Sequence, residues 1–441
     1  MKLIHQFTAH FFKNAQSRTI TKNTGWLFIG QITSRIFRAT IVIYAARILG
    51  AESWGAFSYA LGVATFLTVF SDIGINALIT KEAVRNPELK NQYIATAFFT
   101  KLGLALILFL GVMVFLPRLT NIEEALYIMP LLIFVFVFDT LRDLGSAVAR
   151  AMEKMHIEAI IHIFTNAMIA VLGFIFLARA GTSQSLALAY VLGSGMGLVA
   201  ILYTLRSQFK NLFRNVTLKL IKPIIATAWP FGLLGLMGII MLNTDIIMLG
   251  WLTSASELGY YSASQKIIQL LYILPTLLAV SAFPSMARAA RENPEHVKEF
   301  LEKAVSFIIL LSIPITIIGI IFAKSIIVLL FGNEYVPSVT VFKLLMLTII
   351  IVFPSSFIGN AIFAYDKQKN FIVFVVTATI ANIGLNFLFI PLWGIEGAAF
   401  STIVTQLIVN TLMWRKMKKI NGFTVWSSLK KYLTLPFSSG V

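Results

Sequence analysis

The residues of this sequence best placed to do chemistry are ionisable side chains set inside long apolar runs: Arg35, Arg38, Lys101, Arg142, Lys266 and Lys343, with Asp72, Asp139, Asp143 and Asp245. A charge at the middle of a membrane helix costs at least about 2.5–3.5 kcal/mol on insertion scales, so such groups turn toward protein or a wet cavity and mark routes for ions or polar cargo. Arg35 and Arg38 are three residues apart and share a helix face, which Gln31 extends. A guanidinium stays charged in a protein and offers a bidentate fork to phosphate or carboxylate. With Lys101, Arg142, Lys266 and Lys343 the two arginines form the candidate set for binding an anionic cargo. Asp139 and Asp143 share a face with Arg142, and paired structural charge is the competing expectation there. Asp72, Asp139, Asp143 and Asp245, with Asn243 as a neighbouring oxygen ligand, are the candidates for coupling to a cation or a proton. For Asp245 the conservative expectation is an ion pair with Lys266.

No catalytic constellation accompanies these charges. The five histidines give no His-Glu-x-x-His pattern, and His156 and His162 are six apart and off-face. The absence of cysteine excludes thiolate zinc and iron–sulfur sites. Gly193, Gly195 and Gly197, like Gly232, Gly235 and Gly238, lie inside apolar runs and read as helix-packing glycines rather than a nucleotide loop. A polymerase or ligase would need a long outer loop, which the chain lacks. The sequence therefore predicts a non-enzyme with no cofactor and no metal.

The elements that must hold these charges are membrane helices. Of 441 residues, 58% are hydrophobic and 12% charged, about half the charged share of soluble domains; mean hydropathy is +0.84. Apolar stretches occur near 24–46, 54–80, 92–116, 125–149, 156–178, 185–205, 223–250, 259–285, 304–323, 338–363, 371–391 and 394–414. Each can cross about 30 Å of hydrocarbon as a helix. The expected fold is an all-α polytopic membrane protein with twelve transmembrane helices.

Lys and Arg crowd every second connection, from Lys2, Lys13, Arg18 and Lys22 through Arg206–Lys222 to Arg415, Lys416, Lys430 and Lys431, while Arg47, Arg118, Arg179 and Lys324 lie opposite. By the positive-inside rule both termini are cytoplasmic. The net charge of +17 is then a topology signal plus attraction to anionic lipid heads, not a nucleic-acid footprint.

The halves echo each other. Gly55-Ala56-Phe57-Ser58-Tyr59-Ala60 opens the second span and Gly259-Tyr260-Tyr261-Ser262-Ala263-Ser264 the eighth; Met152-Glu153-Lys154 follows the fourth and Tyr365-Asp366-Lys367 the tenth. Each of the latter leads into a helix bearing an asparagine, Asn166 or Asn382. Six spans return the chain to its starting side, so the halves would form two pseudo-symmetric six-helix lobes of like orientation around a central cavity, a transporter architecture. The expected layout is a cytoplasmic segment 1–23, a first lobe 24–206, a linker 207–222, a second lobe 223–414 and a basic cytoplasmic tail 415–441. Span interiors of the second half hold Pro230, Pro275, Pro284, Pro314 and Pro354 against Pro130 in the first, which suggests more bending there.

The sequence resembles the polysaccharide-export branch of the multidrug/oligosaccharidyl-lipid/polysaccharide exporter superfamily, the Wzx-type flippases. The resemblance rests on Ala46-Arg47-Ile48-Leu49-Gly50, Trp54-Gly55, Ser58-Tyr59-Ala60, Ser71-Asp72-Ile73-Gly74-Ile75, Asn243-Thr244-Asp245, Met248-Leu249-Gly250, Gly259-Tyr260-Tyr261-Ser262-Ala263 and Trp393-Gly394-Ile395-Glu396-Gly397-Ala398-Ala399. It implies a bacterial inner-membrane protein that moves a polyprenyl-diphosphate-linked oligosaccharide between leaflets, with polysaccharide polymerase and assembly proteins as partners. In that picture Arg35, Arg38 and Lys266 hold diphosphate, and transport is coupled to a cation or proton gradient. Two alternatives remain: a multidrug or peptidoglycan-precursor exporter of the same fold, and a polytopic glycosyltransferase or ligase.

Overall fold

Long apolar sequence without strand alternation can satisfy its backbone in lipid only as helix, and helix is what the chain forms. The computed structural model describes residues 15–425 except 87 and 293. Lys2, Lys13, Lys430 and Lys431, and with them parts of segments 1–23 and 415–441, lie outside the described residues. The helices are α1 (Ala15–Asp72), α2 (Ile75–Arg85), α3 (Lys90–Leu119), α4 (Glu123–Ala151), α5 (Met155–Ala180), α6 (Ser183–Thr204), α7 (Leu212–Asn215), α8 (Ile221–Leu252), α9 (Ala255–Leu271), α10 (Ile273–Glu292), α11 (Pro294–Ile321), α12 (Ala323–Phe331), α13 (Ser338–Ala364) and α14 (Gln368–Asn421).

Among the described residues nine helical stretches are long and apolar enough to cross a membrane. Two of them, Gly25–Asp72 with 48 residues and Asn370–Asn421 with 52, far exceed the ~20 residues one crossing requires. Each is broken at a glycine in a left-handed conformation, Gly50 (φ 73°) in α1 and Gly394 (φ 58°) in α14. A side chain at either position would be strained. The break between α9 and α10 has a different cause. Pro275 lacks an N–H and its ring collides with the carbonyl four residues back, that of Leu271, on which α9 ends.

The chain divides into two compact units, Met1–Ile239 and Ile240–Val441. In the first, Ile75, Leu78, Ile94, Leu144, Val148, Ile161, Ile201 and Ile224 belong to one core cluster. Gly193 seats α6 on α5: a Cβ there would fall 2.9 Å from the Ile169 backbone nitrogen. In the second unit Trp414, near the end of α14, donates through Nε1 to Ser355 of α13 at 3.3 Å.

The repeat predicted from sequence has a backbone counterpart. After α4, the N–H groups of Met152, Glu153 and Lys154 donate to the carbonyls of Val148, Arg150 and Ala149. After α13, those of Tyr365, Asp366 and Lys367 donate to Ala361, Phe363 and Ile362 with the same register. The middle residue of each turn is left-handed, Glu153 at φ 57° and Asp366 at φ 56°. These matched turns satisfy the last carbonyls of their helices and launch the asparagine-bearing helices α5 and α14.

Candidate functional site

In the first unit the ionisable residues converge from α1, α3, α4 and α5. Lys101, on α3, is wholly buried; its ammonium donates to Asp72 Oδ1 at 2.8 Å and to Asn76 Oδ1 at 2.9 Å. Arg142 is also buried and lies between Asp139 at 2.6 Å and Asp143 at 3.1 Å. Both cations are thus neutralised locally, and an anion approaching either would have to displace a carboxylate.

Arg35 and Arg38 differ. Arg38 is exposed on this unit and donates Nε to Asn166 Oδ1 at 3.1 Å, which leaves its terminal nitrogens without a protein partner among the described residues. Asn166 is fixed in turn by its Nδ2, which donates to the His162 carbonyl at 2.8 Å. Arg35 is exposed and has neither hydrogen bond nor ion pair among the described residues. Two like charges three residues apart on a helix repel, and a bound anion would relieve that repulsion.

A stripe at four-residue spacing on α5 completes the polar wall: Glu158, His162 and Asn166. Glu158 approaches Arg150 at 3.4 Å and His162 at 3.9 Å. Their spacing in an apolar helix is the signal that could have added these residues to the candidates. At one end of the unit Glu124 accepts from Ser53 at 2.8 Å and from Ser183, tying α1, α4 and α6 together.

The second unit holds a separate centre. Asp245, 3% exposed on α8, accepts hydrogen bonds from Tyr261 Oη (2.6 Å), Thr402 Oγ1 (2.6 Å), Asn386 Nδ2 (2.7 Å) and Asn382 Nδ2 (3.2 Å). All four donors are neutral, so the carboxylate is solvated by dipoles. Asn386 Oδ1 is buried without a hydrogen-bond partner among the described residues, so its desolvation is not offset by any of them. The carboxylate, that amide oxygen and the two hydroxyls are hard oxygen donors, the chemistry that suits a small hard cation. Asn243 is two residues before Asp245, and positions so spaced do not share a helix face. Tyr261, Asn382, Asn386 and Thr402 were not among the sequence candidates as ligands; only the i, i+4 asparagine pair hinted at a polar face.

Lys266, on α9, is half-buried. Lys343, on α13, is exposed and unpaired among the described residues. Among the described residues no group of three or more His, Asp or Glu could hold a metal ion.

Apolar helices in two compact units, with charged groups set among them, define the class as a polytopic helical membrane protein. That class is matched by a solved lipid II flippase, MurJ in an inward-closed conformation, with a TM-score of 0.79 and 17% identity over 92% of this chain and 90% of that one. The chain belongs to the polysaccharide biosynthesis protein family, whose family model matches residues 20–290; a second model, MatE, matches residues 230–408. A putative O-antigen transporter of Shigella flexneri is 21% identical, covering 90% of this chain and 96% of the relative. The capsular polysaccharide biosynthesis protein CapF of Staphylococcus aureus is 20% identical, covering 88% and 97%.

Proposed function

We propose that this chain is a flippase that carries a polyprenyl-diphosphate-linked oligosaccharide, a polysaccharide repeat unit, from the inner to the outer leaflet of the plasma membrane. The observation that carries the reading is the pair Arg35 and Arg38: guanidinium charge in the middle of an apolar helix with no carboxylate at ion-pair distance among the described residues. A diphosphate, with two negative centres, matches two adjacent forks. Family membership and a relative named for O-antigen transport support a glycan-bearing cargo. Lys266 and Lys343 are secondary candidates for cargo contact; Lys101 and Arg142 act through their aspartates.

The same reading gives Asp245 the coupling ion, held with Asn386, Tyr261 and Thr402, while Asp72, Asp139 and Asp143 balance cations. Twelve crossings follow when each of the two broken helices counts twice and α8 joins the nine. Both termini then lie in the cytoplasm, and 24–206 and 223–414 form the six-helix lobes joined by 207–222. A polysaccharide polymerase would take the delivered unit.

The test is Arg35→Gln with Arg38→Gln. The variant should insert and fold, surface glycan should disappear, and lipid-linked repeat units should accumulate in the inner leaflet. Undiminished surface glycan would remove the two arginines from the mechanism.

A further inference from the structure

The segment 206–222 joins α6 to α8 and carries Arg206, Lys210, Arg214, Lys219 and Lys222 with no acidic residue among them. All five are exposed, and none meets a carboxylate among the described residues. Between them stand large apolar side chains that the protein leaves uncovered: Phe213 is 88% exposed and Leu218 74%. Basic side chains interleaved with exposed apolar ones match a surface that is anionic above and apolar beneath.

Where the segment lies identifies that surface. Thr217 donates its N–H to Thr96 Oγ1 at 3.1 Å and its hydroxyl to Gln92 Oε1 at 3.4 Å. Phe213 packs on Phe99 with ring centroids 5.0 Å apart, and Phe209 on Phe98 at 6.3 Å. All four anchoring residues are on α3, which starts at Lys90 and whose most apolar 18 residues, within Lys90–Phe115, are only 22% buried by protein. At 1.5 Å per residue Thr96 is about 9 Å and Phe99 about 13 Å along that helix. A headgroup layer is roughly 6–7 Å thick. With Lys90 at the outer edge of the headgroups and α3 along the membrane normal, the linker is clamped at the depth where headgroups give way to acyl chains. Phe213 and Leu218 would then reach the hydrocarbon side, while the long Lys and Arg stems extend back to the phosphates.

We infer that residues 206–222 form an interfacial anchor that binds anionic phospholipid headgroups of the leaflet at the Lys90 end of α3. Arg206, Lys210, Arg214 and Lys219 pair with lipid phosphates, and Phe213 and Leu218 seat among the upper acyl carbons. Arg206 lies 5.1 Å from the Tyr203 ring centroid, which holds its guanidinium at the interface. The inference needs only that the chain spans a bilayer and is independent of the cargo.

The chain contains no cysteine, so Phe213→Cys, and separately Leu218→Cys, can each carry a single nitroxide in the full-length protein. In phosphatidylcholine vesicles containing one quarter phosphatidylglycerol, both labels should be more accessible to oxygen than to a water-soluble nickel chelate. Binding of fluorescent phosphatidylglycerol to the purified protein should weaken in Lys210→Gln/Arg214→Gln/Lys219→Gln by about fivefold per charge removed, on the order of a hundredfold in all. Binding of fluorescent phosphatidylcholine should not change. Labels that favour the nickel chelate would overturn the anchor. Deep labels with unchanged phosphatidylglycerol affinity in the charge variant would overturn the headgroup assignment.

Discussion

Neutralising Asp72 should destabilise this protein more than removing the lysine it pairs with. Lys101 has a fully buried side chain, whereas that of Asp72 is 29% exposed. In Asp72→Asn the buried ammonium keeps only neutral amide oxygens, that of Asn76 at 2.9 Å and the one introduced at position 72, and loses its countercharge. Breaking a buried pair in this way costs about 3–5 kcal/mol. In Lys101→Met the orphaned carboxylate keeps partial access to solvent and the Asn76 N–H at 3.2 Å, so a loss nearer 1–3 kcal/mol is expected. The double variant removes both charges and should recover most of the loss, since replacing a whole buried pair is often neutral or better.

Helical membrane proteins unfold irreversibly in detergent, so the readout is an apparent Tm at a fixed scan rate. At about 1 °C per kcal/mol for a chain of 441 residues, Asp72→Asn should fall by roughly 3–5 °C, Lys101→Met by less, and the double variant should approach wild type. Equal losses in the single variants, or a double variant whose loss is their sum, would refute the burial argument. Transport provides a second check: a double variant that folds yet no longer moves cargo would make Lys101 a cargo contact after all.

Asp245→Asn should fold but lose its response to the coupling ion. A cation at a hundred times its Kd stabilises the native state by about 2.7 kcal/mol, so wild type should gain apparent Tm on titration with sodium or with protons, and the variant should not; an equal shift in both would move the ion elsewhere. Gly397→Ala places a Cβ against the Phe389 carbonyl and 3.0 Å from the Ile390 nitrogen. Backbone atoms cannot swing aside, so a loss of at least about 1–3 kcal/mol is expected in the same thermal assay, and an unchanged Tm would show that the Gly394 turn relaxes freely.

Part of the charge network was legible before any coordinates. Asp139, Arg142 and Asp143 are neighbours through the helical period itself, so their proximity follows from spacing alone. Gly50 and Gly394 were in view as residues of short motifs, yet nothing local distinguished the glycine that breaks a helix from those that let helices touch. Pro275 reads from sequence as a bend inside the span 259–285; the structure makes it a helix end, because its ring collides with the carbonyl of Leu271.

The sequence by itself determined the membrane class, the helical state and the apolar spans, because desolvating a peptide group or a charge in hydrocarbon is penalised wherever the rest of the chain lies. Only the tertiary structure decided which charges are free. Lys101 meets Asp72 across 29 residues and Asp245 meets Asn386 across 141, separations at which no periodicity carries information. Burial and pairing depend on which helix faces meet. That choice left Arg35 and Arg38 without a carboxylate at ion-pair distance among the described residues while enclosing Lys101 and Arg142 among carboxylates.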